Sequence, residues 1–285
     1  MSIAFVTYAN LPNLSDDDLL AVEELRRRGA AVEPAVWDDP EVRWDRYDRV
    51  VIRSCWDYHK RLAEFLGWLE RMEREEVPLW NPARVVRGNV DKAYLAELAA
   101  AGLPVVPTVH FERRAAADLA GLLDARGWGE VVIKPSVSAS AFRTRKIGRA
   151  EASEAQEELD EILASSGVLI QPFLAEIRSG GEWSLIFLGG GFSHAVLKRP
   201  RAGDFRVQQE LGGSAELAVP PDSLIEQARV ILRQIPGPWL YARVDGVETG
   251  GAFTLMELEL TEPSLFLELD PRAPVRFAEA ILAAG

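Results

Sequence analysis

The stretch that most constrains this chain is Met256-Glu257-Leu258-Glu259-Leu260-Thr261-Glu262-Pro263. Apolar and acidic residues alternate there with period two, which predicts a strand with Met256, Leu258 and Leu260 on one face. Glu257, Glu259 and Thr261 then share the other face, with the two carboxylates roughly 6–7 Å apart. Like charges so placed are stable only when solvated or bridged by a cation. Tyr241-Ala242-Arg243-Val244-Asp245 alternates in the same way, and Gly250-Gly251 between the two runs suits a hairpin turn. Such a hairpin would bring Asp245 beside Glu257. Three oxygen-donor carboxylates and an arginine on neighbouring strands suit a divalent cation with a phosphate. The alternative is a solvated acidic face on an edge strand.

The rest of the chain narrows the setting. Its 285 residues, 48% hydrophobic and 27% charged, fit a soluble globular protein of about two or three domains. A net charge of −12 argues against nucleic acid or an anionic membrane as a partner. Met1–Val6 lacks a basic region before its apolar run, and no uncharged apolar segment approaches the ~18 residues of a membrane span. Cys55 is the only cysteine, which excludes an intrachain disulfide and a cysteine-based metal cluster. A cytoplasmic protein is expected.

Residues 3–8 read as a first strand. Ser15 is an N-cap for a helix whose first turn holds Asp16, Asp17 and Asp18 and which Gly29 closes. Ala31–Trp37 and Arg49–Ser54 read as two more strands, so strand–helix–strand units imply a parallel sheet. The first strand lacks G-x-G-x-x-G, which argues against a dinucleotide-binding dehydrogenase. The polar-aromatic cluster Ser54-Cys55-Trp56-Asp57-Tyr58-His59 lies just past a strand's carboxyl end, where open α/β sheets bind ligands. Trp56 and Tyr58 could equally cap the core. Leu62–Glu75 is an amphipathic helix, and Trp80-Asn81-Pro82 marks a break.

Asn89 reads as the N-cap of a helix that ends at Gly102. Gly129–Pro135 is a strand with Lys134 at its end, followed by the small-residue loop Ser136–Ala141 and a basic run with Arg143, Arg145 and Lys146. Val168–Leu174 and the hairpin of Glu182–Leu188 with Phe192–Lys198 follow, and Val275–Ala284 is a terminal helix. His59, His110 and His194 have no metal-ligand spacing, and no Ser/His/Asp nucleophile stands out.

Five phrases in this order carry a resemblance. They are Asp91-Lys92-Ala93-Tyr94-Leu95 continuing to Gly102–Pro107, Val132-Ile133-Lys134-Pro135, Gln171-Pro172-Phe173-Leu174, Arg243-Val244-Asp245, and Met256-Glu257-Leu258-Glu259. None is specific alone, but together the chain resembles the ATP-grasp superfamily of carboxylate–amine ligases over about residues 89–263. The resemblance implies an α/β fold, with an open N-terminal α/β domain (1–88) before a two-lobed grasp (89–170 and 171–285). It implies ATP and Mg²⁺ as cofactors, with two ions and Mn²⁺ as an alternative.

Carried over residue by residue, Lys92 and Lys134 would reach the nucleotide phosphates, with Ser136, Ser138 and Ser140 in the loop that covers them. Serine and alanine stand here where the family usually has glycine. Gln171, Phe173 and Leu174 match the hinge that holds adenine, and Glu182 the acid that accepts the ribose hydroxyls. Asp245, Glu257 and Glu259 match the metal triad, with Glu259 replacing the family's asparagine. Arg243 would face the transferring phosphate. Lys198 and Arg206 are the residues of a local cationic run expected to face the substrate carboxylate or acyl phosphate, which makes Arg243, Lys134 and Arg206 the catalytic candidates.

Several further phrases, among them Gly181-Glu182-Trp183-Ser184-Leu185 and Asp204-Phe205-Arg206-Val207-Gln208, are similar to the cyclo-ligases that close O-ureido-serine in cycloserine biosynthesis. Glutathione-synthetase-like and ribosomal-protein-modifying ligases are broader cousins. A small amino-acid-like substrate, an acyl phosphate, release of ADP and phosphate, and a homodimer or homotetramer are what this likeness implies. A phosphotransferase acting on a hydroxyl and a catalytically silent nucleotide-binding module remain as alternatives.

Overall fold

The computed structural model describes residues 1–201, 203–207 and 211–284, in three sheets. The first is parallel, in the order β2-β1-β3-β4, from β1 (Ser2–Thr7), β2 (Ala31–Val36), β3 (Arg49–Ser54) and β4 (Leu79–Trp80). Helix α1 (Asp16–Arg27) begins at Ser15, whose side chain accepts from the Asp18 N–H, as the sequence predicts. Strand β1 is buried on both faces because helices cover both. Ile3 and Phe5 join a core with α1 and the last helix, α9 (Ala273–Ala283), while Ala4 and Val6 pack with α2 (Leu62–Arg74) and α3 (Ala83–Asn89).

The second sheet is antiparallel, in the order β5-β8-β6-β7, from β5 (Val109–Phe111), β6 (Glu130–Pro135), β7 (Arg145–Gly148) and β8 (Val168–Pro172). Helices α5 (Leu119–Arg126) and α6 (Gln156–Ser165) cover one face only. The third sheet, also antiparallel, runs β11-β10-β9-β12-β13, from β9 (Glu182–Leu188), β10 (Gly191–Arg199), β11 (Ser214–Ala218), β12 (Tyr241–Thr249) and β13 (Ala252–Glu259). Helix α8 (Asp222–Leu232) covers one of its faces. On the other, Ile186, Leu188, Val196 and Tyr241 enter the core shared with β1, α1 and α9. The third sheet and the first therefore share a hydrophobic core.

Two local expectations change. Asn89 is the last residue of α3 and caps nothing; the next helix, α4, is Tyr94–Ala100. The Asn89 side chain instead donates to the Leu258 carbonyl at 2.7 Å and accepts from the Leu260 N–H at 2.8 Å, which ties α3 to β13. Met256 also leaves the face it was expected to share with Leu258 and Leu260. The β12–β13 register slips between Asp245↔Glu257 and Gly246↔Leu255, so Met256 is the bulged residue. It packs beside Ile177 of the short helix α7 (Glu176–Ser179), Val207 and Val247 rather than under α8. Gly246 belongs to the same irregularity: a Cβ there would lie 2.4 Å from the Thr254 carbonyl oxygen and 2.5 Å from the Phe253 ring.

Candidate active site

Strand parity decides which side chains reach the space between the second and third sheets. On β6, Val131 and Ile133 pack beneath α5 and α6, which turns Val132 and Lys134 the other way. On β8, Val168 and Ile170 take the helix side and Gln171 faces Val132's side of the sheet, paired with it. On the third sheet, Trp183, Leu185, Ala242, Val244 and Leu258 pack toward α8. Glu182, Arg243, Asp245, Glu257 and Glu259 are thereby set on the opposite face, with Lys198 from β10. These two faces enclose a cavity of about 270 Å³.

The strand register sets the charges in rows. Lys198 pairs with Glu182 across β10 and β9, Asp245 with Ser184 and Glu257, and Arg243 with Glu259. Lys198 Nζ donates to Glu182 Oε1 at 2.5 Å and lies 3.7 Å from Asp245 Oδ2. Arg243 donates to Asp245 Oδ2 at 2.9 Å and to Glu259 Oε1 at 2.5 Å, and Ser184 Oγ donates to Asp245 Oδ1 at 2.5 Å. From across the cavity, Lys92 and Lys134 approach the two oxygens of Glu257 at 3.3 and 3.7 Å.

The ionisation of these groups follows from burial set against partners. Burial lowers the Lys134 pKa, and Lys92 adds to the effect. Burial also opposes charge on Lys198, but Asp245 and Glu182 outweigh it and hold the ammonium above its usual value. Burial would raise Asp245 and Glu257, yet Arg243 with Lys198 and Lys92 with Lys134 bring both below the ordinary carboxylate range. Glu259 goes the other way: burial, only partly offset by Arg243, pushes it up to about 7. Burial and the nearby Glu259 push Glu262 up to about 8. Burial thus favours the protonated forms of Glu259 and Glu262, while Asp245 and Glu257 are held ionised by their cations.

The cavity's outer ends are built differently. At one end Phe173 meets Phe205 edge-on at 6.2 Å, with the Arg178 guanidinium 4.8 Å from the Phe173 ring. At the other, Trp56, Tyr58, Glu262, Ser264 and Phe266 line it. Residues 260–265 there form neither helix nor strand, yet each of their carbonyls accepts a hydrogen bond from a side chain. The donors in order are Asn81 (2.7 Å), Tyr241 (2.8 Å), Trp56 (3.2 Å), Arg53 (2.8 Å), Arg243 (3.0 Å) and His194 (2.9 Å). This wall is held by side chains from the first and third sheets and from the residues just past β3 and β4.

Of the residues singled out from the sequence, Lys92, Lys134, Ser138, Ser140, Gln171, Phe173, Leu174, Glu182, Lys198, Arg206, Arg243, Asp245, Glu257 and Glu259 all line this cavity. Ser136 does not. It is fully buried, its hydroxyl donates to Asp91 Oδ2 at 3.1 Å, and its carbonyl accepts from the Lys92 N–H, so it braces the lysine's backbone. Arg206 reaches the cavity already paired with Asp204 at 3.1 Å. Gln208 lies outside the described residues. Arg143, Arg145 and Lys146 pair with Glu161, Glu158 and Glu130, away from the row of acids.

The three carboxylates expected to share a metal do not converge: among the described residues, no group of three or more His, Cys, Asp or Glu side chains is gathered closely enough to hold an ion. Lysine and arginine contacts draw Glu257 toward one side and Asp245 and Glu259 toward the other. Glu262, Ser264 and Phe266 were missed by the sequence reading. The only signal for them was their place just after the acidic strand.

The comparisons with known proteins agree with this architecture. The model for the N-terminal domain of D-cycloserine synthetase DcsG matches residues 3–81. The cycloserine biosynthesis protein DcsG of Streptomyces lavendulae is 33% identical over 294 aligned positions, covering 98% of this chain and 97% of that protein. This chain belongs to the D-cycloserine synthetase family of ATP-grasp ligases. The crystal structure of D-cycloserine synthetase DcsG superimposes with a TM-score of 0.86 at 31% identity, over 98% of both chains. D-alanine–D-alanine ligase from Bacillus anthracis gives 0.71 at 15% identity, over 100% of this chain and 97% of that one. The ATP-grasp ligase PsnB, in complex with a phosphomimetic precursor, Mg and ADP, gives 0.67 at 18% identity, over 99% and 98%. At those two identities the likeness is one of fold. As a D-cycloserine synthetase relative, the protein is an ATP-dependent ligase, and no helix among its described residues is long and apolar enough to cross a membrane.

Proposed function

We propose that the protein activates a small amino-acid-like carboxylate with Mg²⁺-ATP and closes or forms an amide bond through an acyl phosphate. The observation that carries this reading is the arrangement of Lys92, Lys134 and Lys198 around the acidic row of Glu182, Asp245, Glu257 and Glu259 inside one cavity. Ammonium groups on flexible stems suit phosphates as point charges, and Lys134 and Lys198 have little access to water. The Phe173–Phe205 end is apolar enough to hold a purine, with Glu182 in the same cavity for the ribose hydroxyls.

The donor set fits Mg²⁺: it is all oxygen, and burial pushes Glu259 up even beside Arg243, a cost that a divalent cation would offset. Asp245, Glu257 and Glu259 would hold one or two ions, with Mn²⁺ as an alternative, once those ions replaced the lysine and arginine contacts. Such ions supply charge neutralisation along the transferring phosphates. The residues' work is positioning. Lys92 and Lys134 hold the nucleotide phosphates, the Ser138–Ala141 backbone covers them, and Arg243 steadies the γ-phosphoryl group as it passes to a substrate carboxylate oxygen. ADP leaves; a substrate nitrogen then attacks the acyl carbon, loses its proton, and phosphate departs with the bonding pair. The lobe formed by residues 89–170 would close over the nucleotide and keep water from the acyl phosphate.

Product analysis with Mg²⁺-ATP and a panel of amino acids tests this, with Lys134→Ala and Glu257→Gln as controls. Substrate-dependent ADP and phosphate, reduced by about 10²-fold or more in both variants, is expected. AMP and pyrophosphate would sink the mechanism, and a stable phosphorylated product would favour transfer to a hydroxyl.

A further inference from the structure

Four of the five acids lining the cavity already have a cationic partner. Glu182 has Lys198, Asp245 and Glu259 have Arg243, and Glu257 has the two lysines. Glu262 is the exception: among the described residues its carboxylate has no ion pair and no hydrogen bond, and only its backbone carbonyl is engaged, by Trp56. A carboxyl group in a confined space without a countercharge holds its proton until a cation is brought to it, and then ionises against that cation.

Its surroundings say what. Trp56, Tyr58 and Phe266 line the same end of the cavity, and aromatic faces attract ammonium groups. Phe266 already has a cation, the Arg243 guanidinium, 5.7 Å from its ring. The position of Glu262 is fixed, because every carbonyl from Leu260 to Leu265 is pinned by a side-chain donor. Arg243 is one of those donors, bonded to Ser264 only two residues along. A negative and a positive group are thus held on one short, rigid segment, which matches the two charges an α-amino acid carries on adjacent atoms of one carbon.

We propose that Glu262 is the specificity residue for the substrate amine: its carboxylate receives the α-ammonium of an amino acid whose carboxylate is turned toward Arg243 and the acidic row. The inference rests on the ligase reading above and adds the recognition group to it.

Calorimetric titration of the full chain, saturated with Mg²⁺-ADP, tests it with two probes: D-cycloserine, which carries the amine, and isoxazolidin-3-one, the same ring without it. Glu262→Gln is expected to weaken D-cycloserine at least tenfold and to leave isoxazolidin-3-one and Mg²⁺-ADP within twofold. Glu262→Asp should recover part of the loss. Equal D-cycloserine affinity in wild type and Glu262→Gln would overturn the assignment and leave the ligase reading standing. Equal loss of both rings would overturn it in favour of a structural role. Wild-type protein that binds Mg²⁺-ADP but neither ring would overturn the assignment together with the amino-acid reading of the site.

Discussion

The segment 260–265 and the loop 136–144 both border the cavity without being helix or strand, but their backbones are held in opposite ways. Along 260–265 each carbonyl has a donor from a distant side chain, several of them buried. The loop's backbone is tied to distant residues only at its start, where Ser136 meets Lys92 and Gly167 and the Lys92 ammonium meets the Ser138 carbonyl at 2.6 Å. Beyond that, its backbone bonds are local turns, its distant contacts are made by side chains such as Arg143 with Glu161, and Ser140, Ala141 and Arg143 have left-handed backbones at φ of 50°, 55° and 51°. A wall that discriminates between substrates needs fixed groups, whereas a loop that covers phosphates has to open and close. The first is stabilised by long-range bonds, and the second stores local strain of about 1 kcal/mol or more per residue.

The sharpest way to break this contrast is at Arg53. It is buried, donates to Asp18 Oδ1 at 2.7 Å and to the Pro263 carbonyl at 2.8 Å, and its replacement strands the buried Asp18. Arg53→Met should cost about 3–5 kcal/mol in urea unfolding. A loss below ~1 kcal/mol would mean that the wall stands without it.

A second prediction concerns the segment's downstream end, where the Glu268 N–H donates to Asp17 Oδ1 at 3.1 Å. Burial, and then the Glu268 carboxylate, push the Asp17 carboxyl up to about 8. The folded protein therefore holds this proton more tightly than the unfolded chain does. That stabilisation is complete below about pH 4 and is lost as pH rises through 8. Asp17→Asn should flatten the decline in melting temperature between pH 5 and 9, and an unchanged slope would place its origin elsewhere.

Smaller effects sharpen the comparison. Trp56→Phe removes the donor to the Glu262 carbonyl and should cost about 1 kcal/mol. The KM for the amino substrate should rise severalfold while the KM for ATP stays unchanged; an equal rise in both would show that the whole cavity has shifted. In the loop, Ser140→Gly with Ala141→Gly relieves two strained residues and should raise stability by about 1 kcal/mol or less. A fall in the unfolding midpoint would show that the loop is not strained.

The legibility of the site follows the same divide. The pairing of Asp245 with Glu257 was readable because strand alternation and a Gly250-Gly251 turn are local signals, and the register bears it out. Lys134's place at the cavity was readable because it ends an apolar strand just before Pro135. Met256 was misplaced because a bulge has no signature in the alternation. Ser136 was misplaced because nothing local shows that its hydroxyl is taken by Asp91. Asn81 read only as a break, yet its amide joins Leu240, Tyr241 and Leu260 from about 160 and more residues away.

The sequence by itself determined the longer strands, the faces of most of them and the order of lysines and acids along the chain, because backbone period and turn chemistry act over a few residues. Only the tertiary structure decided which acid is left without a partner and how the wall beside it is held. Arg53 and Pro263, Trp56 and Glu262, and His194 and Leu265 are between 71 and 210 residues apart, and no spacing rule spans such distances. Their bonds form because six consecutive carbonyls have no neighbouring strand to satisfy them, and each finds a donor wherever the packed chain places one.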